Sequence, residues 1–229
     1  LIRTDDPISG ELRIGTVDSI CDTLFPQILA EYHEKNPGVI LEIKVSTPAE
    51  LFDALKHNSI DIMLFLDKPY VAKDFVEDIQ VDTDVVFCAS AKHPLACKKS
   101  IDLKEVLEYP CILTEKNSSY RYILENKLSE LGLSISPGIE SQNTNLIIKL
   151  LCKNMGYSVL PRFLIEQKLR DDVLKVLPIK DFNIKAKYHV LHKKDKFVNR
   201  QMESFINLLK KQADVLQVVD KYQDIAMSV

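Results

Sequence analysis

The sequence has 229 residues and a formal net charge of −3 at pH 7. This balance excludes a strongly basic nucleic-acid-binding chain and an acidic tail. With 46% hydrophobic and 28% charged residues, the composition is typical of a globular protein with one or two cores and excludes a disordered segment. No stretch approaches the roughly 18 consecutive apolar residues that a membrane span requires.

The cysteines and histidines predict neither disulfides nor a metal site. The five cysteines, at positions 21, 88, 97, 111 and 152, are odd in number and form no C-x-x-C motif. His189 and His192 are three residues apart in a predicted strand, which places them on opposite faces. Residues 1–7 lack the basic region and apolar core of an intact secretion signal, and a chain from which a signal or a preceding domain had been removed would look the same. We therefore expect reduced thiols, a cytoplasmic location, no metal and no cofactor.

The first part of the chain predicts three strands separated by two helices. The first helix must end before Asn36-Pro37-Gly38, because proline and glycine do not continue a helix. Thr47, followed by Pro48 and by Glu50, forms a capping-box pattern that begins the second helix. The predicted elements are a strand at 12–17, a helix through 24–32, a strand at 39–45, a helix from 48 and a strand at 60–66.

The pattern of strands and helices then starts again. Gly132 predicts the end of one helix, and Asn143 or Thr144 the beginning of the next. The predicted elements are strands at 85–89, 111–114, 138–140, 157–161 and 187–192, and helices at 103–107, 120–131, from 144 and at 199–211, with a turn at 93–94.

This alternation predicts two α/β lobes with parallel sheets and helices on both faces. The last strand and helix follow the second lobe and are expected to return to the first. Two crossover segments are therefore predicted, near 81–84 and near 184–187. Ligands of open α/β sheets bind beyond the carboxyl ends of the strands, so a cleft between the two lobes is the expected binding site.

Several short motifs, in this order, resemble one family. They are Gly10-Glu11-Leu12-Arg13-Ile14-Gly15, Leu24-Phe25-Pro26, Asn36-Pro37, Ile60-Asp61-Ile62, His93-Pro94-Leu95, Tyr109-Pro110, Gly156-Tyr157-Ser158-Val159-Leu160-Pro161 and Lys193-Lys194-Asp195. Each motif alone is weak, but the ordered set over residues 10–211 resembles the effector-binding domain of LysR-type transcriptional regulators.

The resemblance implies an α/β fold like that of type 2 periplasmic binding proteins, with two Rossmann-like lobes joined by two crossovers. It implies a linker remnant at 1–9, lobe I at 10–83 plus 187–229, and lobe II at 84–186. It also implies assembly of the chain with itself as a dimer or tetramer. DNA contact would be made through an N-terminal winged helix-turn-helix that is not in this chain, and no membrane partner is expected.

In the family, a small-molecule effector is held between the lobes by hydroxyls and by backbone amides at helix N-termini. The matching positions are Thr16, Asp18, Ser19, Ser46, Thr47, Asn117, Ser118, Ser119, Asn143 and Thr144. Phe65, near the end of the strand at 60–66, could form a wall of the cleft. Amides at helix N-termini favour anions, so a small anion or carboxylate is the expected ligand. An inward Asp18 carboxylate would repel such a ligand. Helix capping for the Ser and Thr residues and core packing for Phe65 are the alternatives at these positions.

Arg121 and Lys116 could neutralise an anion, and a solvated helix face explains them equally well. A solute-binding protein of a transport system is the alternative function, against which the odd cysteine count argues. An enzyme is not expected, because the chain has no G-x-S-x-G, P-loop, metal or dinucleotide-binding motif.

Overall fold

The computed structural model describes residues 7–67, 73–116 and 118–226. The chain forms two compact units. Unit 1 contains the described residues within Leu1–Phe65, Pro69–Val81 and Tyr188–Val229, and unit 2 those within Leu66–Lys68 and Asp82–Lys187. The predicted linker remnant at 1–9 falls mostly outside the described residues and stays a prediction.

Strands and helices alternate along most of the described chain. The strands are β1 (Ser9–Thr16), β2 (Gly38–Val45), β3 (Ile62–Asp67), β4 (Phe75–Ser90), β5 (Ile112–Leu113), β6 (Ile139–Glu140), β7 (Tyr157–Pro161), β8 (Leu174–Val176) and β9 (Ile184–Lys193). The helices are α1 (Asp18–Thr23), α2 (Phe25–Lys35), α3 (Pro48–Lys56), α4 (Leu103–Leu107), α5 (Ser119–Glu130), α6 (Thr144–Cys152), α7 (Glu166–Arg170) and α8 (Arg200–Ala226). Two short 3₁₀ helices cover Pro94–Cys97 and Arg162–Leu164.

Unit 1 is built on parallel strands covered by helices. β1 pairs with β2 from Ser9↔Gly38 to Thr16↔Val45, and with β3 from Ile14↔Ile62. α3 packs on this sheet through Leu51 and Leu55, which are fully buried. The parallel pairing places the carboxyl ends of β1, β2 and β3 at one edge of the sheet, where Thr16 lies.

Unit 2 combines parallel and antiparallel pairing. β5 and β6 pair in parallel. β4 pairs with β7 and with β8 in antiparallel register, from Val85↔Pro161 and Cys88↔Val176. The prediction of purely parallel sheets is therefore wrong for β4, because alternating helices and strands do not fix the direction of a strand that enters from the other unit.

β4 and β9 each run without interruption from one unit into the other, so the predicted crossover segments lie inside strands. The two strands carry acids opposite bases. In unit 1, Glu77 contacts His189 and Asp78 contacts His192, each at 2.5 Å. In unit 2, Lys187 Nζ lies 2.8 Å from Asp82 Oδ1 and Lys185 Nζ 3.7 Å from Asp84 Oδ1. The side chains of His189 and His192 point to opposite faces, as their spacing predicts.

Candidate functional site

Thr16 ends β1 as a fully buried residue without a hydrogen bond at its hydroxyl. Its exposed fraction is 0%, and Oγ1 has no hydrogen-bond partner among the described residues. The backbone carbonyl is satisfied, because Ser46 N donates to Thr16 O at 3.1 Å. A buried hydroxyl without a partner is destabilising by about 1–3 kcal/mol. The effector role of this hydroxyl stays a prediction.

Asp18 and Ser19 begin the short helix α1. Asp18 is exposed, and partial burial together with the charge of Asp22 raises its pKa. The carboxylate of Asp18 would repel an anionic ligand close to it, as it already repels the charge of Asp22. The carbonyl of Ser19 accepts a hydrogen bond from Thr23 Oγ1 at 2.7 Å.

Ser46 and Thr47 form the N-terminal cap of α3 with Glu50. Glu50 N donates to Thr47 Oγ1 at 3.4 Å, and Thr47 N donates to Glu50 Oε2 at 3.3 Å, which completes the predicted capping box. Ser46 Oγ also donates to the Glu50 carboxylate. The hydrogen bonds from Ser46 and then Thr47 lower the pKa of Glu50. Both hydroxyls therefore have a structural role, and their effector role stays a prediction.

Phe65 is buried in the core of unit 1. Its ring stacks on that of His189, with centroids 4.9 Å apart and an interplanar angle of 19°. His189 is fully buried, and its Nδ1 contacts Glu77. The packing alternative considered for Phe65 accounts for these contacts, and sequence reasoning did not foresee its stacking on histidine.

In unit 2, a set of hydroxyls follows the carboxyl end of β5. Thr114 Oγ1 and Ser118 Oγ share a hydrogen bond at 2.7 Å. Ser119 Oγ donates to the backbone carbonyl of Leu66 at 2.9 Å. We call residues Thr114, Ser118 and Ser119 the hydroxyl loop. Asn117 lies outside the described residues, so its predicted role stays a prediction.

A second helix begins after β6, the parallel neighbour of β5. Asn143 Oδ1 accepts from Leu146 N at 2.8 Å and so caps α6, as predicted. Ser141 Oγ accepts from Asn143 N at 3.1 Å, and Thr144 is buried. The N-termini of α5 and α6 thus follow paired strands of unit 2.

The burial of Arg121 contradicts the alternative that it belongs to a solvated helix face. It lies in the first turn of α5, yet only 2% of the residue is exposed, and it is the largest fully buried side chain of the described residues. Its Nε donates to Glu125 Oε1 at 2.7 Å, and Nη1 donates to Thr114 O at 3.2 Å. Arg121 therefore bonds directly to the hydroxyl loop.

Across residues 7–67, 73–116 and 118–226, no three His, Cys, Asp or Glu residues are grouped so as to hold a metal ion. An open pocket of about 450 Å³ lies in unit 1, lined chiefly by α2 and α8 and by none of the predicted effector residues. Within the same described ranges, no helix has the length and apolar character needed to cross a bilayer.

Comparison with known proteins identifies the family and the fold. The sequence profile of the LysR substrate binding domain matches residues 5–214. This chain belongs to that family. The predicted identity as a LysR effector-binding domain, inferred from the ordered motifs, is confirmed.

The LysR relatives are transcriptional regulators. The transcriptional activator CmpR of Synechocystis sp. is 24% identical over 200 residues, which are 87% of this chain and 65% of CmpR. The regulator CbbR of Rhizobium meliloti is 28% identical over 217 residues, covering 93% of this chain and 68% of CbbR. The chain thus spans about two thirds of the length of these relatives.

The regulatory domain of CcmR from Synechocystis PCC6803, solved with 2-PG, aligns with a TM-score of 0.76 and 23% identity, over 90% of this chain and 98% of that domain. The predicted α/β fold, like that of type 2 periplasmic binding proteins, is therefore confirmed.

Proposed function

We propose that this LysR domain senses a small anionic metabolite and passes the signal to a DNA-binding domain of a longer regulator. The carrying observation is the buried Thr16 hydroxyl at the carboxyl end of β1, which has no hydrogen-bond partner in the part of the chain that the structure describes. Ligands of α/β sheets bind at this edge. The predicted position of the ligand between two lobes stays part of this proposal.

The proposal that the ligand is an anion is supported by the N-termini of α5 and α6, which carry partial positive charge. It is also supported by relatives of known ligand, since the CcmR domain was solved with 2-PG and the QuiR domain with shikimate. A ligand can shift the domain only if it binds one arrangement more tightly than another.

We further propose that the regulator acts in the cytoplasm, assembles with itself and has no catalytic activity. The support is its relationship to transcriptional regulators such as CmpR and CbbR. A transport role is not favoured by these comparisons.

The test is calorimetric titration with 2-phosphoglycolate, shikimate, inorganic phosphate and sulfate. Thr16→Val removes the hydroxyl at nearly constant shape. We expect it to reduce affinity for the bound probe about tenfold, the equivalent of one charge-assisted hydrogen bond. The stability of the variant should stay equal or rise, because an unsatisfied buried hydroxyl is removed.

Thr83→Val is the matched control, since Thr83 is a second buried threonine that lies in β4. It should leave affinity unchanged. If no probe binds to the wild-type domain, the proposal of an anionic ligand is overturned. If Thr16→Val binds the probe with the affinity of the wild type, Thr16 is not part of the site.

A further inference from the structure

Arg121 occupies a position that helix stability does not explain. A guanidinium stays charged in proteins, and burying a charge is costly by several kcal/mol unless it is paired. Arg121 is the third residue of α5, where the partial positive charge of the helix N-terminus opposes a cation. Both the burial and the position are therefore unfavourable for Arg121 unless another group compensates them.

Two described groups of unit 2 bind the guanidinium, and they compensate its charge only in part. The Glu125 carboxylate, 2.7 Å from Nε, is 36% exposed, so water screens its charge. Thr114 O, the second acceptor at 3.2 Å, is neutral. A net positive potential is expected to remain around the first turn of α5.

Arg121 also fixes the hydroxyl loop. Its hydrogen bond holds the carbonyl of Thr114, whose hydroxyl in turn bonds to Ser118 at 2.7 Å. Ser119 follows and begins α5. A movement of the guanidinium would therefore displace the hydroxyls predicted to meet the effector.

We propose that Arg121 is a positioning and charge-selecting residue of the effector site: it orients the hydroxyl loop and makes it favour a dianion, such as a phosphate monoester, over a monocarboxylate. This inference rests on the proposed function. A purely structural ion pair between Arg121 and Glu125 is the competing explanation.

The two explanations predict opposite effects of Glu125→Gln. If the residual charge of Arg121 selects the ligand, removing the screening carboxylate strengthens binding of 2-phosphoglycolate and of inorganic phosphate severalfold, and leaves glycolate within about twofold. If the pair is only structural, the variant binds equally or more weakly. Glu125 is partly exposed on a helix, so this variant is expected to fold.

Arg121→Gln should weaken both phosphate probes about tenfold or more and glycolate less than threefold, so that the preference for the dianion is lost. Arg121→Lys keeps the charge and should retain most of that preference. Lys104→Gln removes an equal charge from an exposed position of α4 and should leave the affinities for all three probes unchanged.

Calorimetry at two salt concentrations, with circular dichroism to confirm folding, distinguishes the outcomes. Failure of every probe to bind the wild-type domain overturns the proposed ligand class and this inference together. Probes that bind with the same dianion preference in wild type, Arg121→Gln and Glu125→Gln overturn only the role of Arg121. If Arg121→Gln does not fold, the direction of the Glu125→Gln effect decides.

Discussion

Replacing Asp61 by asparagine should destabilise unit 1 in a pH-dependent way. Asp61 Oδ2 accepts from Arg13 N at 2.8 Å, and Oδ1 lies 2.8 Å from Arg13 Nη2. Lys196 Nζ also donates to this carboxylate. Asp61, the residue directly before β3, thus connects β3 to β1 and to the turn that precedes α8.

The magnitude follows from what asparagine keeps and loses. An amide oxygen can still accept from Arg13 N, but both charged contacts are lost, each worth about 1.5–3 kcal/mol. Arg13 is 32% exposed and can turn to water, whereas Lys196 at 15% remains mostly buried. The expected loss in the free energy of unfolding is about 3 kcal/mol at pH 7.

The pH dependence has a defined sign. Burial alone would raise the pKa of Asp61, but the hydrogen bonds from Arg13 and Lys196 outweigh it, so the pKa lies below its usual value. The stabilisation is complete above the unfolded pKa of about 3.9 and is lost as the pH falls through the lower folded pKa. The difference between the two proteins should therefore persist at pH 5 and shrink only in stronger acid.

Urea unfolding followed by circular dichroism measures this difference. Asp53→Asn is the control, because Asp53 is an exposed acid paired with His57 and should contribute less than about 0.5 kcal/mol. A loss for Asp61→Asn no larger than this control, or one that does not depend on pH, would refute the reasoning.

Three further changes test local structure. Gly156→Ala should destabilise by at least about 2 kcal/mol in urea unfolding, because φ is +146° and the new Cβ would overlap the carbonyl oxygen of Pro110. A near-neutral effect would contradict this geometry. Thr47→Ala should remove the cap of α3 and lower stability by about 1 kcal/mol, whereas Thr47→Ser should not. At pH 8, iodoacetamide should label exposed Cys97 in the native protein and Cys88 only after unfolding, because burial raises the pKa of Cys88 to about 12. Labelling is measured by mass spectrometry, and labelling of Cys88 in the native protein would show that its thiol is accessible to the reagent.

Sequence patterns predicted most elements but missed the first half of β4. Ile79, Val81, Thr83 and Val85 alternate as buried residues with exposed or half-buried ones, a period that indicates a strand. The acids around them obscured this pattern. They are accommodated because β9 supplies histidines and lysines opposite them, a long-range pairing that no local window contains.

Among the candidate site residues, the sequence predicted the helix caps but not the other contacts. Helix-start signals placed Thr47 and Asn143 correctly as caps. The burial of Arg121 depends on how α5 packs against the rest of unit 2, whereas the sequence left an anion partner and a solvated helix face as equal alternatives. The missing partner of Thr16 likewise depends on the neighbouring strands.

The course of the chain also determines which parts of this protein can exist separately. Unit 1 is assembled from three stretches, and the last of them supplies the end of β9 and all of α8. A protein that ends before Tyr188 would therefore lack the last part of unit 1, whereas residues 82–187 form one continuous segment of unit 2. That segment would lack Leu66, whose carbonyl receives the hydrogen bond from Ser119. Unit 2 is thus arranged as an insertion into unit 1, and unit 1 can be completed only after unit 2 has been synthesised.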